Sequence, residues 1–102
     1  MVCNAAGPGV AAGQPSRFEV NGRNLSVAAG PAPGGTCAPA GSFATGEHVR
    51  VAEKIEPGRV VAAVGARPGY QVVGAPDPNS GQITVVIGKG VTQVTFTTAA
   101  AT

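Results

Sequence analysis

The residue whose type and position could do chemistry is Glu53, which ends the alternating segment His48–Glu53. Side chains of a β-strand point alternately to its two faces, so Val49, Val51 and Glu53 share one face. Since the valines must face the core, the carboxylate is carried inward with them. A buried carboxylate is costly unless it is paired, hydrogen-bonded or protonated, so we expect Glu53 to meet polar groups inside the protein.

Other sequence features that could mark an active site are weak. The only histidine, His48, lies on the opposite strand face from Glu53 and should face solvent, so a nucleophile–His–acid arrangement is not indicated. The segments Gly7-Pro8-Gly9 and Gly88-Lys89-Gly90 lie in predicted turns and begin no helix, unlike phosphate-binding loops. The five carboxylates are scattered, which favours neither a calcium site nor a paired-carboxylate hydrolase. We therefore expect no enzyme activity, no cofactor and no metal.

The two cysteines, Cys3 and Cys37, have no metal-ligand spacing, and with a single histidine a zinc site lacks ligands. Two interpretations stay open: two unrelated free thiols, or a disulfide that ties the first strand to the loop around Cys37. The second is favoured, and it would contribute about 3–4 kcal/mol in the chain-entropy model. A disulfide would also indicate an oxidising, extracytoplasmic location.

Length and charge restrict the class of protein. The 102 residues predict one domain, covering 1–102. The formal charge of +2 comes from scattered basic residues without interleaved aromatics, which argues against nucleic-acid binding. The longest apolar run, residues 59–65, is too short to cross a membrane. The start of the chain has no secretory signal, so we expect a cytosolic protein or a mature piece of a secreted one.

Turn signals separate short alternating segments along the whole chain. The clearest is Asn21-Gly22, the preferred pair for a type I′ hairpin turn, between the segments 17–20 and 23–27. Residues 28–35 contain two prolines and three glycines and predict a loop. Pro68-Gly69 predicts a turn before Tyr70, and residues 99–102 predict a tail. Seven to eight short strands without a helical apolar period indicate an all-β, antiparallel β-sandwich.

Three of these features together resemble the prealbumin-like, Cna-B-type (Ig-like) repeat domains of bacterial surface proteins. They are a first strand at the N-terminus, a middle strand that ends in an acid before a Pro-Gly turn (residues 49–53 and 57–58), and the closing strand 91–97. The cysteine pair, one in the first strand and one in the loop after the hairpin, resembles a disulfide-containing variant in large secreted bacterial proteins. The resemblance spans nearly the whole chain.

Many members of that family form an internal isopeptide bond between a first-strand Lys and a last-strand Asn or Asp, while a buried acid moves the proton. In this sequence Glu53 matches the acid, but the two inward reacting positions hold Asn4 and Thr98. The cross-link therefore cannot form there. The resemblance instead implies a buried polar cluster in which Glu53 hydrogen-bonds the Asn4 amide and the Thr98 hydroxyl. The alternative is a half-exposed Glu53 at a strand end, with Arg50 or water as its partner.

Two functions follow as expectations. The first is a non-enzymatic structural domain of an extracellular or cell-surface protein. It would be one repeat of a longer array or a self-assembling filament or coat subunit, joined to neighbours through its terminal strands, 2–6 and 91–98. The second is an adhesin-type or carbohydrate-binding module that contacts a glycan or matrix protein through loops 28–35 and 64–70. Tyr70 is the one candidate aromatic for such a ligand contact.

Overall fold

Nine strands and one short 3-10 turn make up the regular structure in the computed structural model, which describes residues 1–32 and 34–101. Pro33, in the predicted loop 28–35, and Thr102, at the end of the predicted tail, lie outside the described residues. The strands are β1 (Val2–Ala6), β2 (Pro15–Val20), β3 (Arg23–Ala28), β4 (Gly30–Pro31), β5 (Thr36–Ala38), β6 (His48–Lys54), β7 (Arg59–Arg67), β8 (Gln82–Val86) and β9 (Gln93–Ala100); the 3-10 turn is Gly69–Gln71. The sequence predicts seven to eight strands, whereas the described residues form nine. The two shortest, β4 and β5, have two and three residues.

The strands form two sheets that pack as a β-sandwich, in agreement with the predicted all-β class. One sheet has the order β4-β1-β9-β7, with β5 also paired to β1, and the other has the order β3-β2-β6-β8. The predicted antiparallel arrangement is wrong for β1, which runs parallel to both β9 and β4. The reason is that β1 and β9 are neighbours in the sheet but lie at opposite ends of the sequence, so no hairpin fixes their relative direction.

The two terminal strands are not free for pairing, contrary to the expectation from the sequence. Strand β1 has β4 and β5 along one side and β9 along the other, and β9 lies between β1 and β7. The predicted tail is also partly strand, since Ala99 and Ala100 belong to β9 and the amide of Ala101 donates to the Gly58 carbonyl at 2.8 Å. A neighbouring chain could pair with β1 or β9 only by displacing a strand of this domain.

The hairpin β2–β3 forms as predicted. Asn21 and Gly22 have φ values of 49° and 84°, which are the left-handed conformations that a type I′ turn requires. Between the sheets, Phe18 and Phe96 are both buried and their ring centroids lie 5.0 Å apart. The rest of the core consists mainly of valines from β1, β2, β3, β6, β7, β8 and β9. No helix in the described ranges is long and apolar enough to cross a bilayer.

The parallel pairing of β1 and β9 gives the sandwich two distinct ends. Both strands begin at one end, near Met1 and Val91, and both finish at the other, where Ala100 lies beside Pro8 and Arg59. We refer to these as the leading end and the trailing end. Strand β6 runs from the leading end at His48 to the trailing end at Lys54, which places Glu53 near the trailing end.

Candidate functional site

Three buried polar side chains meet between the sheets near the trailing end. Asn4 lies on β1 and Thr98 on β9, in one sheet, while Glu53 lies on β6 in the other. Alternation along each strand directs all three inward, with Val2, Phe96 and Val51 as core-facing neighbours on the same strands. Asn4 and Thr98 are fully buried and Glu53 is 5% exposed, so the alternative of a half-exposed acid does not hold.

Thr98 is the centre of this polar cluster. Its Oγ1 lies 3.0 Å from Oε1 and 2.9 Å from Oε2 of Glu53, and 3.2 Å from Oδ1 of Asn4. The Asn4 amide nitrogen donates instead to the Val27 carbonyl at 3.0 Å. The expected direct bond from the Asn4 amide to Glu53 is therefore wrong, because that nitrogen donates to the Val27 carbonyl of the facing sheet. Glu53 and Asn4 are linked through the Thr98 hydroxyl.

Counting protons indicates which charge state of Glu53 fits this geometry. The Val27 carbonyl fixes Nδ2 of Asn4 toward itself, so Oδ1 faces Thr98 and needs a donor. The Thr98 hydroxyl has one proton, while Oδ1 of Asn4 and the Glu53 carboxylate would both have to accept it. A protonated Glu53 resolves the conflict, because it donates to Thr98 and Thr98 donates to Asn4. A continuous chain of hydrogen bonds then runs from Glu53 to Val27.

The electrostatics of the site shift Glu53 toward its protonated form. Burial raises the pKa of Glu53 above its ordinary value of 4.5, since it penalises the charged form. The hydroxyls of Thr98 and Ser16 and the positive charge of Arg59 act in the opposite direction and offset only part of this rise in pKa. Arg59 also donates through Nη1 to the Pro15 carbonyl at 3.3 Å, which holds its guanidinium at the trailing end.

Two residues around the cluster were not expected from the sequence. Ser16 lies just before the segment 17–20 that the sequence predicts as a strand, and in the structure it belongs to β2. It has the same inward parity as Phe18 and Val20, and this signal could have identified it. Arg59 follows the predicted Pro57-Gly58 turn and gives no comparable signal. Neither Asn4 nor Thr98 carries an amine, so the two side chains can hydrogen-bond but cannot form an isopeptide bond with each other.

The disulfide between Cys3 and Cys37 is present, which decides against two free thiols. The two residues are direct partners in the antiparallel pair β1–β5, and they lie 34 positions apart in the sequence. Cys3 is fully buried and Cys37 is exposed. The disulfide therefore fixes the short edge strand β5 against β1, one residue away from Asn4.

The proposed ligand loops do not converge. Residues 64–67 belong to β7 rather than to a loop, which leaves a tight turn at 68–71. Tyr70 in that turn is 84% exposed. Loop 28–35 includes β4, at the opposite edge of the same sheet from β7. A ligand that contacts Tyr70 would not reach that loop without crossing the face of the sheet.

Next to Tyr70, Gln71 is buried in the turn and has an incompletely satisfied amide. Its Oε1 accepts a hydrogen bond from the Thr92 hydroxyl at 2.6 Å, whereas its Nε2 has no hydrogen-bond partner among residues 1–32 and 34–101. Gly88 packs against Nε2 so closely that a Cβ there would overlap it. The contacts of Gln71 with Thr92 and Gly88 join the turn to the segment before β9. They hold the backbone next to Tyr70 in place.

The parts of the chain that the structure describes contain no group of three or more His, Cys, Asp or Glu side chains that could hold a metal ion. The hydrogen bonds of Asn4, Glu53 and Thr98 join three strands and can share a proton, and this cluster is the strongest candidate site. No family model, curated protein or solved structure matches the chain.

Proposed function

We propose that this chain is a non-enzymatic structural domain of an extracellular or cell-surface protein. It would act as one repeat of an array or as a self-assembling subunit that transmits tension along the chain. The observation that carries the proposal is the hydrogen-bonded cluster of Asn4, Glu53 and Thr98, which joins the first, middle and last long strands across both sheets. The hydrogen bonds among these three side chains hold the strands together.

The directions of β1 and β9 support a mechanical role. These strands are parallel neighbours with five residue pairs in register, from Val2 opposite Val94 to Ala6 opposite Thr98. Tension applied where the chain enters β1 and where it leaves β9 pulls the two strands past each other. All hydrogen bonds between them are then loaded together, in shear, instead of one after another. The Thr98–Asn4 hydrogen bond spans this strand pair.

The disulfide supports the extracellular part of the proposal. Structural disulfides persist in oxidising compartments and are rare in the cytosol. Here the bond from Cys3 to Cys37 anchors β5 to β1, one of the two strands that would carry the tension. A domain with a small, valine-rich core benefits from such a covalent link.

The family assignment, prealbumin-like and Cna-B-type with an Ig-like sandwich, belongs to the same proposal. The family's three cross-link positions correspond to Asn4, Glu53 and Thr98, and in this protein those three side chains are in mutual hydrogen-bond contact through Thr98. This supports an ancestral cross-link site whose reacting residues have been replaced by a hydrogen-bonding pair.

Restoring the reacting residues tests the family assignment. In the double variant Asn4→Lys, Thr98→Asn, the neutral lysine amine would attack the side-chain carbonyl carbon at position 98. A new C–N bond forms, the bond to the amide nitrogen breaks, and Glu53 carries a proton to the departing ammonia. We expect intact mass spectrometry to show the loss of one ammonia.

Adding Glu53→Ala to this double variant is the matched control and should abolish the loss of ammonia. Circular dichroism shows whether each variant is folded. A folded double variant that keeps its full mass would contradict the family assignment.

The second candidate function is a glycan- or matrix-protein-binding module. It is favoured by one observation, an aromatic side chain with 84% exposure on a turn whose next residue, Gln71, is buried. Aromatic faces of this kind pack against sugar rings. A binding screen against glycans and matrix proteins tests this function. A signal that disappears in Tyr70→Ala would favour it, and no signal would remove it.

A further inference from the structure

The outer face of the sheet β3-β2-β6-β8 gathers basic side chains that are scattered along the sequence. Alternation along β2 and β6 buries Phe18 and Val51. On the opposite side it leaves Arg17, Arg50 and Lys54 exposed. Because β2 and β6 pair directly, these three cations share one surface. We call the outward side chains of the four strands the basic face.

The basic face contains a pair of like charges. Arg17 and Lys54 are direct partners in the antiparallel pair β2–β6, and both are exposed. The Cβ atoms of direct partners lie about 4.5–5.5 Å apart, and like charges in this position destabilise a sheet. On its other side Arg17 is opposite Ser26 of β3, which is also exposed. Two cations and a hydroxyl therefore lie side by side, and an oxyanion bound between them would relieve the repulsion.

Two open depressions follow the bases along this face. One is lined by Arg17, Lys54 and Ser26 among others, and the other by Arg50. Glu19 belongs to both and so lies between them. At a rise of about 3.3 Å per residue, Lys54 and Arg50 are about 13 Å apart along β6. Such a surface accommodates an extended polymer that contacts the bases at intervals, whereas a small ligand would stay largely in water.

The negative charges around the face limit which anions fit. Glu19 is the only acid among the outward side chains of these four described strands. Further charged residues border the sheet: Arg23, Glu47, Glu56 and Asp77. Glu47 accepts a hydrogen bond from the Ala44 amide at 3.2 Å, so it is held in its own turn. Asp77 likewise accepts one from the Ser80 hydroxyl at 2.8 Å. With the border residues counted, the exposed charges of the sheet balance. The positive charge is therefore local, and it suits carboxylates spaced apart on a polymer better than a charge on every unit.

The rest of the basic face is polar and uncharged. Asn24 on β3 and His48 on β6 are exposed, and Gln82 and Thr84 on β8 are half-buried with outward parity. Such side chains can hydrogen-bond the hydroxyl groups of a sugar. The exposed large apolar side chains of the described residues all lie elsewhere: Met1, Ile55, Val60, Tyr70, Val73 and Val91. The face thus offers no large apolar group to insert into a membrane, and no Phe, Tyr or Trp on which nucleic-acid bases could stack. This composition favours a polysaccharide.

We propose that the basic face binds a carboxylated polysaccharide. Arg17 and Lys54 hold one carboxylate between them, with the Ser26 hydroxyl as a further donor. Arg50 holds a second carboxylate farther along β6. The planar guanidinium of each arginine matches the two oxygens of a carboxylate, and the amide of Asn24 is available to a sugar hydroxyl. This binding function goes beyond the structural role proposed above and uses no residue of the polar cluster.

A pair of matched double variants tests this site. The face variant, Arg17→Gln with Lys54→Gln, removes the like-charge pair. The control variant, Arg67→Gln with Lys89→Gln, removes one arginine and one lysine that are exposed outside the basic face. Both variants therefore have the same formal charge. Binding to carboxymethyl dextran is measured by isothermal titration calorimetry, with unmodified dextran as the uncharged probe.

We expect the wild type and the control variant to bind carboxymethyl dextran but not dextran. Binding should be weaker at about 200 mM than at about 50 mM salt, because salt screens exposed charges. The face variant should bind at least about tenfold more weakly, and Arg50→Gln alone should also weaken binding. Lys54→Gln alone should keep or raise the melting temperature, since Arg17 loses a like-charged neighbour. Weaker binding without a loss of stability locates the effect in the face and not in the fold.

Three results would overturn the inference. Absence of binding between the wild type and carboxymethyl dextran would remove the site. Equal losses in the face and control variants would show that net charge, and not the face, attracts the polymer. Tighter binding of dextran sulfate, poly-L-glutamate or duplex DNA at the same concentration of anionic groups would mean that the ligand is not a carboxylated polysaccharide. None of these results bears on the cross-link variant, which tests the structural function separately.

Discussion

The hydroxyl of Thr98 lies within 3.0 Å of both carboxylate oxygens of Glu53, although the two residues belong to different sheets. The same hydroxyl lies 3.2 Å from Oδ1 of Asn4 on the neighbouring strand. One side chain thus joins a middle strand of one sheet to two strands of the other. All three residues are buried, so their polar groups depend on one another for hydrogen bonds in the folded protein.

Removing the Glu53 carboxyl group should destabilise the fold. Glu53→Ala removes the contact of the Thr98 hydroxyl with the facing sheet and leaves Asn4 as its partner in the cluster. We expect the free energy of unfolding to fall by about 1–3 kcal/mol. Glu53→Gln should cost less than about 1 kcal/mol, because an amide can donate to Thr98 as the protonated acid does. Denaturant unfolding of both variants checks this. Equal losses in the two variants would mean that the amide cannot replace the carboxyl group, which would contradict a carboxylic acid that donates to Thr98.

The stability of the domain should depend on pH through Glu53. Burial raises the pKa of Glu53 above 4.5 in the folded state, so between 4.5 and the folded pKa the folded state binds more protons than the unfolded state. The contribution is fully present below pH 4.5 and is lost as pH rises through the folded pKa. Asp77 affects stability in the opposite direction and at lower pH. Hydrogen bonds from Ser80 lower its pKa in the folded state, so its contribution is lost as pH falls.

We therefore expect the melting temperature of the wild type to fall relative to that of Glu53→Gln as pH rises above 4.5. Thermal unfolding of both proteins over a pH series measures this difference. A difference that stays constant with pH would show that Glu53 has an unperturbed pKa.

The disulfide should contribute substantially to stability. In the chain-entropy model, closing a loop with a sequence separation of 34 residues stabilises the fold by about 3–4 kcal/mol. The double variant Cys3→Ala, Cys37→Ala should lose about this amount in denaturant unfolding. The non-reduced wild type should have a mass two hydrogens below that of the reduced chain. A full-mass wild type would remove the disulfide and with it the main support for an extracellular location.

The buried amide of Gln71 should be dispensable. Within the described part of the chain its Nε2 has no hydrogen-bond partner, and its Oε1 accepts from the Thr92 hydroxyl. Replacing both partners by apolar groups of similar shape, Gln71→Met with Thr92→Val, should leave stability unchanged or raise it, whereas Thr92→Val alone should lower it by about 1–3 kcal/mol. Unfolding curves of the two variants distinguish these outcomes. A double variant less stable than Thr92→Val would indicate that the amide has a partner after all.

Much of the fold follows from local signals. The alternation of residues 48–53 is sufficient to direct Glu53 inward, and Asn21-Gly22 is sufficient to place the hairpin turn, because both depend only on neighbouring residues. Thr98 is placed inward by its parity with Phe96. These local periodicities identify which side chains can meet inside the sandwich.

The details of the site depend on contacts between distant segments and could not be predicted in the same way. The Asn4 amide bonds to the Val27 carbonyl because the facing sheet brings that carbonyl close, and no local pattern in either strand indicates it. The parallel pairing of β1 with β9 is equally non-local. The turn after Pro68 continues through Gln71, whose polar side chain is buried by Gly88 and Thr92 from another part of the chain.

The most direct test of the central claim is a double-mutant cycle between Thr98→Val and Glu53→Ala, with the free energy of unfolding measured for the wild type, both single variants and the double variant. If the Thr98 hydroxyl and the Glu53 carboxyl group stabilise the sandwich together, their coupling energy should lie between about 0.5 and 3 kcal/mol. If the two losses add to within about 0.3 kcal/mol, the side chains act independently, and the cluster does not join the strands.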